Sequence, residues 1–548
     1  IIIVLMSAIL IGSPLSSNIE IINITITIGT IIYIIWNCKK KEESIFSNKI
    51  DIFVVLFMIS TCIPLIFGTY ISLEQTILSI FQNISVTAIY FFIKQVKLED
   101  RSSIENAIIL SSIVIFIVGI DNLTTNILGH ALQSIGIPYY LNTENRLISN
   151  LGYANSVAII MAFSSFLALG LSLENKSEKK ELYYGIANFW YIVGIILAVS
   201  KGTMLCFAFF GIIYIILLKE KEYKIEIFVK TIFTTFTAIV YTIIFNELNI
   251  LQNYIAIWIL TLILGIINGL IWILIKKISI HFSRITKKQI ITTLISTTIL
   301  ISSVIIYGLY QTEPLTIFST SKGPDEYTHY IYNVDSNSEY NLKFEISAKS
   351  NIQNGYQIQI VEENVYDQKI NVHVIDIDNF EGNKEIKFRT DSDTKRLKLR
   401  FLRRQKEENS ELTIKELTVN GEKITLQYSY LPMPLVQIFE KINLKNKTVW
   451  ERDVFIIDGM KIAKDNLLFG VGGNGWEYTY GRVQSYGYST TQSHCFYTQI
   501  LIENGILGGI SILGIIMYII IYSIKFIKQQ KDPAYITILC AIRTFTST

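Results

Sequence analysis

The feature that most constrains this chain is a succession of apolar runs separated by short polar stretches. A run of about 17 to 25 residues crosses a hydrocarbon core of ~30 Å as a helix, the form in which a lone segment satisfies its own backbone there. Such runs fall near 1–13, 19–36, 51–68, 71–93, 107–121, 151–172, 182–199, 203–218, 229–246, 254–275, 290–310 and 505–524. Composition agrees, since 51% of the 548 residues are hydrophobic and 17% charged, with a mean hydropathy of +0.41. The predicted fold is mainly α, a polytopic helical membrane protein of about 12 to 14 spans. Both ends lie within apolar runs, so the chain reads as a fragment lacking part of a first and a last span, and no signal peptide stands out.

The basic residues give the topology. Lys39, Lys40, Lys41 and Lys49 share one loop, and Lys94, Lys97 and Arg101 share the next but one. Lys176, Lys179 and Lys180 follow, then Lys219, Lys221 and Lys224, then Lys276, Lys277, Arg284, Lys287 and Lys288, and finally Lys525, Lys528 and Lys531. Every second loop is basic, which by the positive-inside rule makes those loops cytoplasmic. The short outer loops then carry two basic residues, Arg146 and Lys201, whose placement asks for a reason. A net charge of +3 spread over such clusters does not suggest a nucleic-acid partner. The cysteines Cys38, Cys62, Cys206, Cys495 and Cys540 form no CxxC pair, which argues against a disulfide framework or a zinc site.

Between 311 and 495 the apolar runs stop. The segments 340–349, 356–363, 369–377, 384–390, 396–402 and 412–419 alternate apolar with polar residues, the pattern of strands in a β-sandwich. The domain reading is a helical membrane domain over 1–310, an extracytoplasmic β-sandwich insert over 311–445, an interfacial helix and glycine-rich loop over 446–504, and a truncated C-terminal membrane segment over 505–548. A wheel for the interfacial helix sets Asp453, Asp458, Lys461, Lys464 and Asp465 on one side and Phe455, Ile456, Met460, Ala463 and Leu467 on the other. Arg452 falls with the apolar group, where its guanidinium wants an anion such as a phosphate or, more plainly, snorkels toward lipid headgroups.

His494 stands at the outer mouth of the last complete span. Extending that helix back over it brings Thr498, Leu501, Gly505 and Gly508 to its face and leaves Glu503 roughly opposite. Taken alone, such a histidine is as well accounted for by backbone carbonyls at a helix start as by proton transfer. His130, His281, His329 and His373 have no metal-ligand spacing, and Asp376 and Asp378 share the solvent face of a strand. The run Lys395, Arg396, Lys398, Arg400, Arg403 and Arg404 reads equally as a surface for an anionic glycan or lipid headgroups and as part of an inert spacer.

RLISNLGYAN (146–155), the turn Ser200-Lys201-Gly202, the stretch from Arg452 to the glycines at 470–473, and His494 with Gly505 and Gly508 resemble the O-antigen ligase and polymerase superfamily. The likeness covers most of the membrane part and omits the β-rich insert. It implies a fold of the C-type glycosyltransferase kind in a bacterial cytoplasmic membrane. It also implies transfer of a glycan from undecaprenyl diphosphate to an acceptor hydroxyl on a glycan, lipid or wall polymer, without metal or other cofactor. By that resemblance His494, Arg452 and Arg146 are catalytic, and Lys201, Asn155, Gly472, Gly473, Tyr478 and Arg482 bind substrate. The chain has Cys495 where the family usually has Asn, Ser or Gln, and Lys201 where it often has Arg. The leaving diphosphate calls for fixed cations and the attacking hydroxyl for a base, which suits these residue types. A transporter or flippase of lipid-linked sugars is the alternative; nearly charge-free span interiors and the absence of an internal repeat count against it. A surface adhesin needs only one span.

Overall fold

The computed structural model describes residues 48–95, 101–134, 146–218, 220–279, 311–318, 326–332, 334–349, 355–364, 368–404, 411–429, 447–485 and 490–529, with scattered positions besides. It divides into two compact units, 1–285 with 452–548, and 286–451. Each is taken by itself.

The first unit is helical. Its described helices are α1 (Lys49–Phe67), α2 (Leu73–Gln95), α3 (Arg101–Leu123), α4 (Ile127–Ser134), α5 (Ala154–Glu174), α6 (Glu178–Leu197), α7 (Lys201–Leu217), α8 (Lys221–Ile250), α9 (Tyr254–Ser279), α10 (Lys447–Asp465, in this unit from Arg452 on), α11 (Gly475–Val483) and α12 (Phe496–Gln529). Among the described residues seven helices are long and apolar enough to cross a membrane: α1, α2, α3, α5, α8, α9 and α12. The chain is thus a mainly helical protein with the character of a membrane protein. The runs expected at 1–13, 19–36 and 290–310 lie outside the described residues apart from scattered positions. The run at 182–199 forms α6, which begins with the polar EKKE, and its 178–197 span is mostly buried among its neighbours.

Helices α5, α6, α8 and α9 pack on one another, while α12 packs along α1. The α6–α9 approach is close because a methyl group at Gly185 would run into Gly269, and one at Gly269 would run into Leu182. Asn268 donates to the Gly185 carbonyl at 2.8 Å, and Trp272 donates its Nε1–H to Thr234 at 3.0 Å. These bonds satisfy polar groups that have no water to turn to.

The helical unit buries a cluster of charges at one end of its bundle, which the sequence did not reveal. Lys230 is fully buried, and its ammonium donates to Ser172 Oγ at 2.7 Å, Glu181 Oε1 at 2.6 Å and Glu226 Oε1 at 2.6 Å. Lys276 reaches the other Glu181 oxygen at 3.1 Å, and the Trp272 ring lies 4.9 Å from the Lys230 ammonium. Two cations meet two carboxylates, so the cluster is neutral and Lys230 has an acceptor for each of its three protons. Hydropathy along the chain hides it because Lys230 and Glu226 fall at the start of a long apolar helix. The cluster also gathers the ends of α5, α6, α8 and α9 that adjoin the basic loops. At the other end of the same bundle Arg146 donates its Nε–H to the Ala198 carbonyl at 3.0 Å, just past α6. The 21 residues of α5, about 30 Å at 1.5 Å each, separate the two levels.

The second unit is built of strands. β1 (Thr312–Glu313) pairs with β11 (Gln427–Tyr428). One sheet runs β10 (Glu422–Ile424), β9 (Glu411–Val419), β4 (Glu339–Lys349), β7 (Phe380–Arg389), with β2 (Leu315–Phe318) also on β9. The other runs β3 (Glu326–Tyr332), β8 (Arg396–Arg403), β5 (Tyr356–Glu363), β6 (Lys369–Ile377). Every pairing is antiparallel. Phe344 and Ile414 from the first sheet join Ile358, Ile360, Leu399 and Phe401 from the second in a single buried cluster. Strand β8 buries every second residue, as its alternation requires.

Three cations on and beside that strand meet carboxylates. Arg400 meets Glu326 through Nε at 2.6 Å and Nη2 at 2.7 Å, Arg396 meets Glu363 at 2.6 Å, and Arg404 meets Asp376 at 3.0 Å. The Glu326 carboxyl is held below its ordinary range, first by the Arg400 guanidinium. Three of the six cations in the run are thus paired with carboxylates of this unit, which leaves less of it open to an anionic ligand. His373 is likewise engaged, its Nε2 2.8 Å from Glu362 and its ring 4.1 Å from that of Phe388.

Candidate functional site

The site begins with a break in α12. Gly505 has φ 64 and ψ −164, a conformation closed to side chains other than hydrogen, and it interrupts the helix. The carbonyls freed there do not go unpaired: Val471 donates its N–H to Ile502 at 2.9 Å and Gly472 to Glu503 at 3.0 Å, while Ile506 donates to Leu467 at 2.7 Å. The glycine-rich loop thus docks backbone to backbone on the broken helix. Its other side meets the start of α2, where Ile71 donates to the Val471 carbonyl at 3.1 Å and Thr69 Oγ1 to the Gly470 carbonyl at 2.8 Å.

Gly472 and Gly473, expected at a substrate, face this packing. A methyl group at Gly472, whose φ is +81, would run into Thr76, and one at Gly473 would run into the Gln75 carbonyl. Gly472→Ala is expected to lower stability by about 1–3 kcal/mol from overpacking and backbone strain together, read as an earlier thermal unfolding transition of solubilised protein. An unchanged transition would mean the loop does not dock as described.

Helix α10 lies against the same region. Its buried side is Val454, Phe455, Asp458, Gly459, Ile462 and Ala463, while Ile456, Met460 and Leu467 are exposed. The wheel expectation is corrected at Asp458, whose side chain is fully buried, and at Arg452, which is exposed. Asp458 accepts from Ser485 N–H at 2.8 Å, Ser485 Oγ at 2.6 Å and Lys461 Nζ at 2.7 Å. Burial alone would raise its pKa, but the bonds from Lys461 and Ser485 outweigh that and hold it below the ordinary value of 3.8. A depressed carboxylate lends stability at any pH above its unfolded value and loses it only as pH falls through the folded one. Asp458→Ala should therefore cost about 1–3 kcal/mol at pH 7, with the gap from wild type closing as pH falls below about 4 in paired unfolding curves. A gap that stays constant on acidification would contradict this.

Tyr478 and Arg482 occupy the exposed side of α11, whose other side buries Trp476 and Tyr480. Those two rings stack at 4.3 Å, and Phe455 meets Trp476 edge-on at 5.8 Å and Tyr480 at 5.7 Å. Trp476 donates its Nε1–H to the Thr490 carbonyl at 3.2 Å. Thr490 Oγ1 in turn lies 3.3 Å from His494 Nε2. Sequence reading missed Trp476, although a tryptophan directly after the glycine run was visible.

His494 precedes α12, with a left-handed φ of 52. The wheel does not extend to it, so the expected stripe from His494 to Gly508 does not form, and Gly505 interrupts it as well. The imidazole is solvent-exposed and 5.6 Å from the Phe455 ring. It therefore lies beside the helix that carries Arg452.

Arg146 and Asn155 come together at the far end of the helical bundle: Arg146 Nη2 lies 3.4 Å from Asn155 Oδ1, and Asn155 donates to the Tyr153 hydroxyl at 3.0 Å. Lys201 opens α7 three residues beyond the carbonyl that holds Arg146. Gly119 explains how this segment seats, since a methyl group there would run into Leu147. The interactions described thus gather two sets, His494 with the α10 and α11 residues, and Arg146 with Asn155 near Lys201. Among the described residues no group of three or more His, Cys, Asp or Glu is placed to hold a metal ion. Comparison with protein-family models, curated proteins and solved structures finds no match for this chain.

Proposed function

We propose that the chain is a glycosyltransferase of the lipid-linked glycan ligase or polymerase type, working at the outer face of a bacterial cytoplasmic membrane. In this reading it spans the membrane 12 to 14 times, carries a β-sandwich insert outside, and brings Arg146, Asn155 and Lys201 to the same surface as Arg452 and His494. The observation that carries it is the setting of His494: an exposed imidazole on a loop braced against a broken apolar helix, beside the helix that bears Arg452.

The reaction balances with residues of this chain. His494 takes the proton of the acceptor hydroxyl as its oxygen attacks the anomeric carbon. The bond from that carbon to the diphosphate oxygen breaks, and undecaprenyl diphosphate leaves with the electron pair. Guanidinium and ammonium groups at Arg452, Arg146 and Lys201 stabilise the growing charge. Direct displacement inverts the anomeric centre. Tyr478 and Arg482, exposed on α11, are free to line the sugar site.

Surface glycans of cells lacking the protein test this reading. Loss of long chains marks a polymerase, accumulation of full-length lipid-linked chains marks a ligase, and an unchanged pattern speaks against both. Transport of a lipid-linked sugar is the second reading, and the buried Lys230 cluster favours it, because transporters commonly bury ionisable groups. Full internal pairing suits a clamp between helices better than a site that must take up and release a substrate.

A further inference from the structure

We propose that Glu503 is a positioning residue for His494, acting through Gln499 on the backbone of Ser493. This rests on the transferase reading of His494 and extends it to a residue that the sequence set aside as lying opposite. The three groups form one chain of bonds: Gln499 Nε2 donates to Glu503 Oε1 at 2.5 Å, and Gln499 Oε1 accepts from the Ser493 N–H at 3.0 Å. The Glu503 carboxylate also receives the Asn474 N–H from the glycine-rich loop, and the Asn474 side chain donates to Gln75 at 3.1 Å.

Direction matters in this chain. A side-chain amide offers a donor at one end and an acceptor at the other, so whatever faces one end decides what the other end presents. The Ser493 N–H can only donate, so Gln499 turns its oxygen to Ser493 and its NH2 to Glu503, whose carboxyl oxygen accepts and keeps the amide in that sense. Ser493 is buried and adjoins His494, whose left-handed backbone has to be held by its surroundings. Ser493 Oγ also donates to the Cys495 carbonyl at 2.9 Å, so fixing Ser493 fixes both flanks of the histidine. The Gly505 break puts Glu503 within reach of the loop by exposing this stretch of α12 to it.

Cys495 supplies a readout that needs no substrate. It is a free, half-buried thiol beside His494, and its alkylation by a membrane-impermeant maleimide can be followed on its own peptide by mass spectrometry. Glu503→Ala and Gln499→Ala should each speed that labelling about tenfold, the worth of one well-placed bond, and the double variant should be no faster than either single. In turnover assays both variants should lower kcat with KM for the lipid-linked donor unchanged, and Glu503→Gln, which keeps an acceptor oxygen for Gln499, should recover part of it. Wild-type labelling rates in both singles, or effects that multiply in the double, would overturn the coupling. Wild-type turnover with kcat unaltered in Glu503→Ala would overturn the positioning role alone, whereas no turnover by the wild type would remove the transferase reading beneath it.

Discussion

Lys230→Met should destabilise the helical unit by about 3–5 kcal/mol, because it strands two carboxylates in a place without water. Lys230 is wholly buried and is the shared partner of Glu181 and Glu226, which are buried too. With the ammonium gone, only Lys276 remains to answer both negative charges, and it reaches Glu181 alone among the interactions described. The lost stability comes mainly from the orphaned charge and less from the ion pair itself, so a second change that removes one charge should recover much of it. Lys230→Met with Glu226→Gln is expected to regain more than half of the loss. Denaturation of detergent-solubilised protein measures both variants. A single variant as stable as wild type, or a double variant worse than the single, would show that the cluster is not closed as described.

The second large effect falls on activity. Replacing His494 removes the proposed base, and the expected loss of turnover is ~10²–10⁴-fold. Alanine is a poor choice at this position, because a φ of 52 is costly for it and the loop would shift. Asparagine tolerates a left-handed backbone far better, so His494→Asn isolates the chemistry. Its exposed side chain has little packing to lose, and the unfolding transition should stay within about 0.5 kcal/mol of wild type. Unchanged turnover in His494→Asn would take the base role away from this residue.

Much of the scaffold was legible in the sequence. Long apolar runs announce themselves by length, and strands β5 and β6 match the predicted segments 356–363 and 369–377 because apolar and polar residues that mostly alternate suit the two faces of a strand and would scatter around a helix. Strand β3, EYTHYIY, escaped notice, since aromatic and polar residues share both of its faces. Helix α11 was hidden behind glycine, which reads as a turn whether or not a helix follows.

The site was legible only in its residue types. A helical wheel assumes that apolar residues mark the buried side, yet Asp458 sits at the centre of that side of α10 because Ser485, 27 residues on, supplies its donors. Likewise a uniform wheel through His494 and Gly505 assumes a helix that the backbone leaves at both residues. Partners remote in sequence decided Lys230 as well: Glu181 lies 49 positions away and Ser172 lies 58 away. Periodicity carries no record of such pairs.

The proposed transfer reaction takes place at the surface where His494 lies. Purified protein reconstituted in lipid with an undecaprenyl-diphosphate-linked glycan and an acceptor, and no nucleotide sugar, tests it directly. The expected result is a lengthened or transferred glycan together with released undecaprenyl diphosphate. Movement of the intact lipid-linked glycan between leaflets, with no new glycosidic bond, would contradict it.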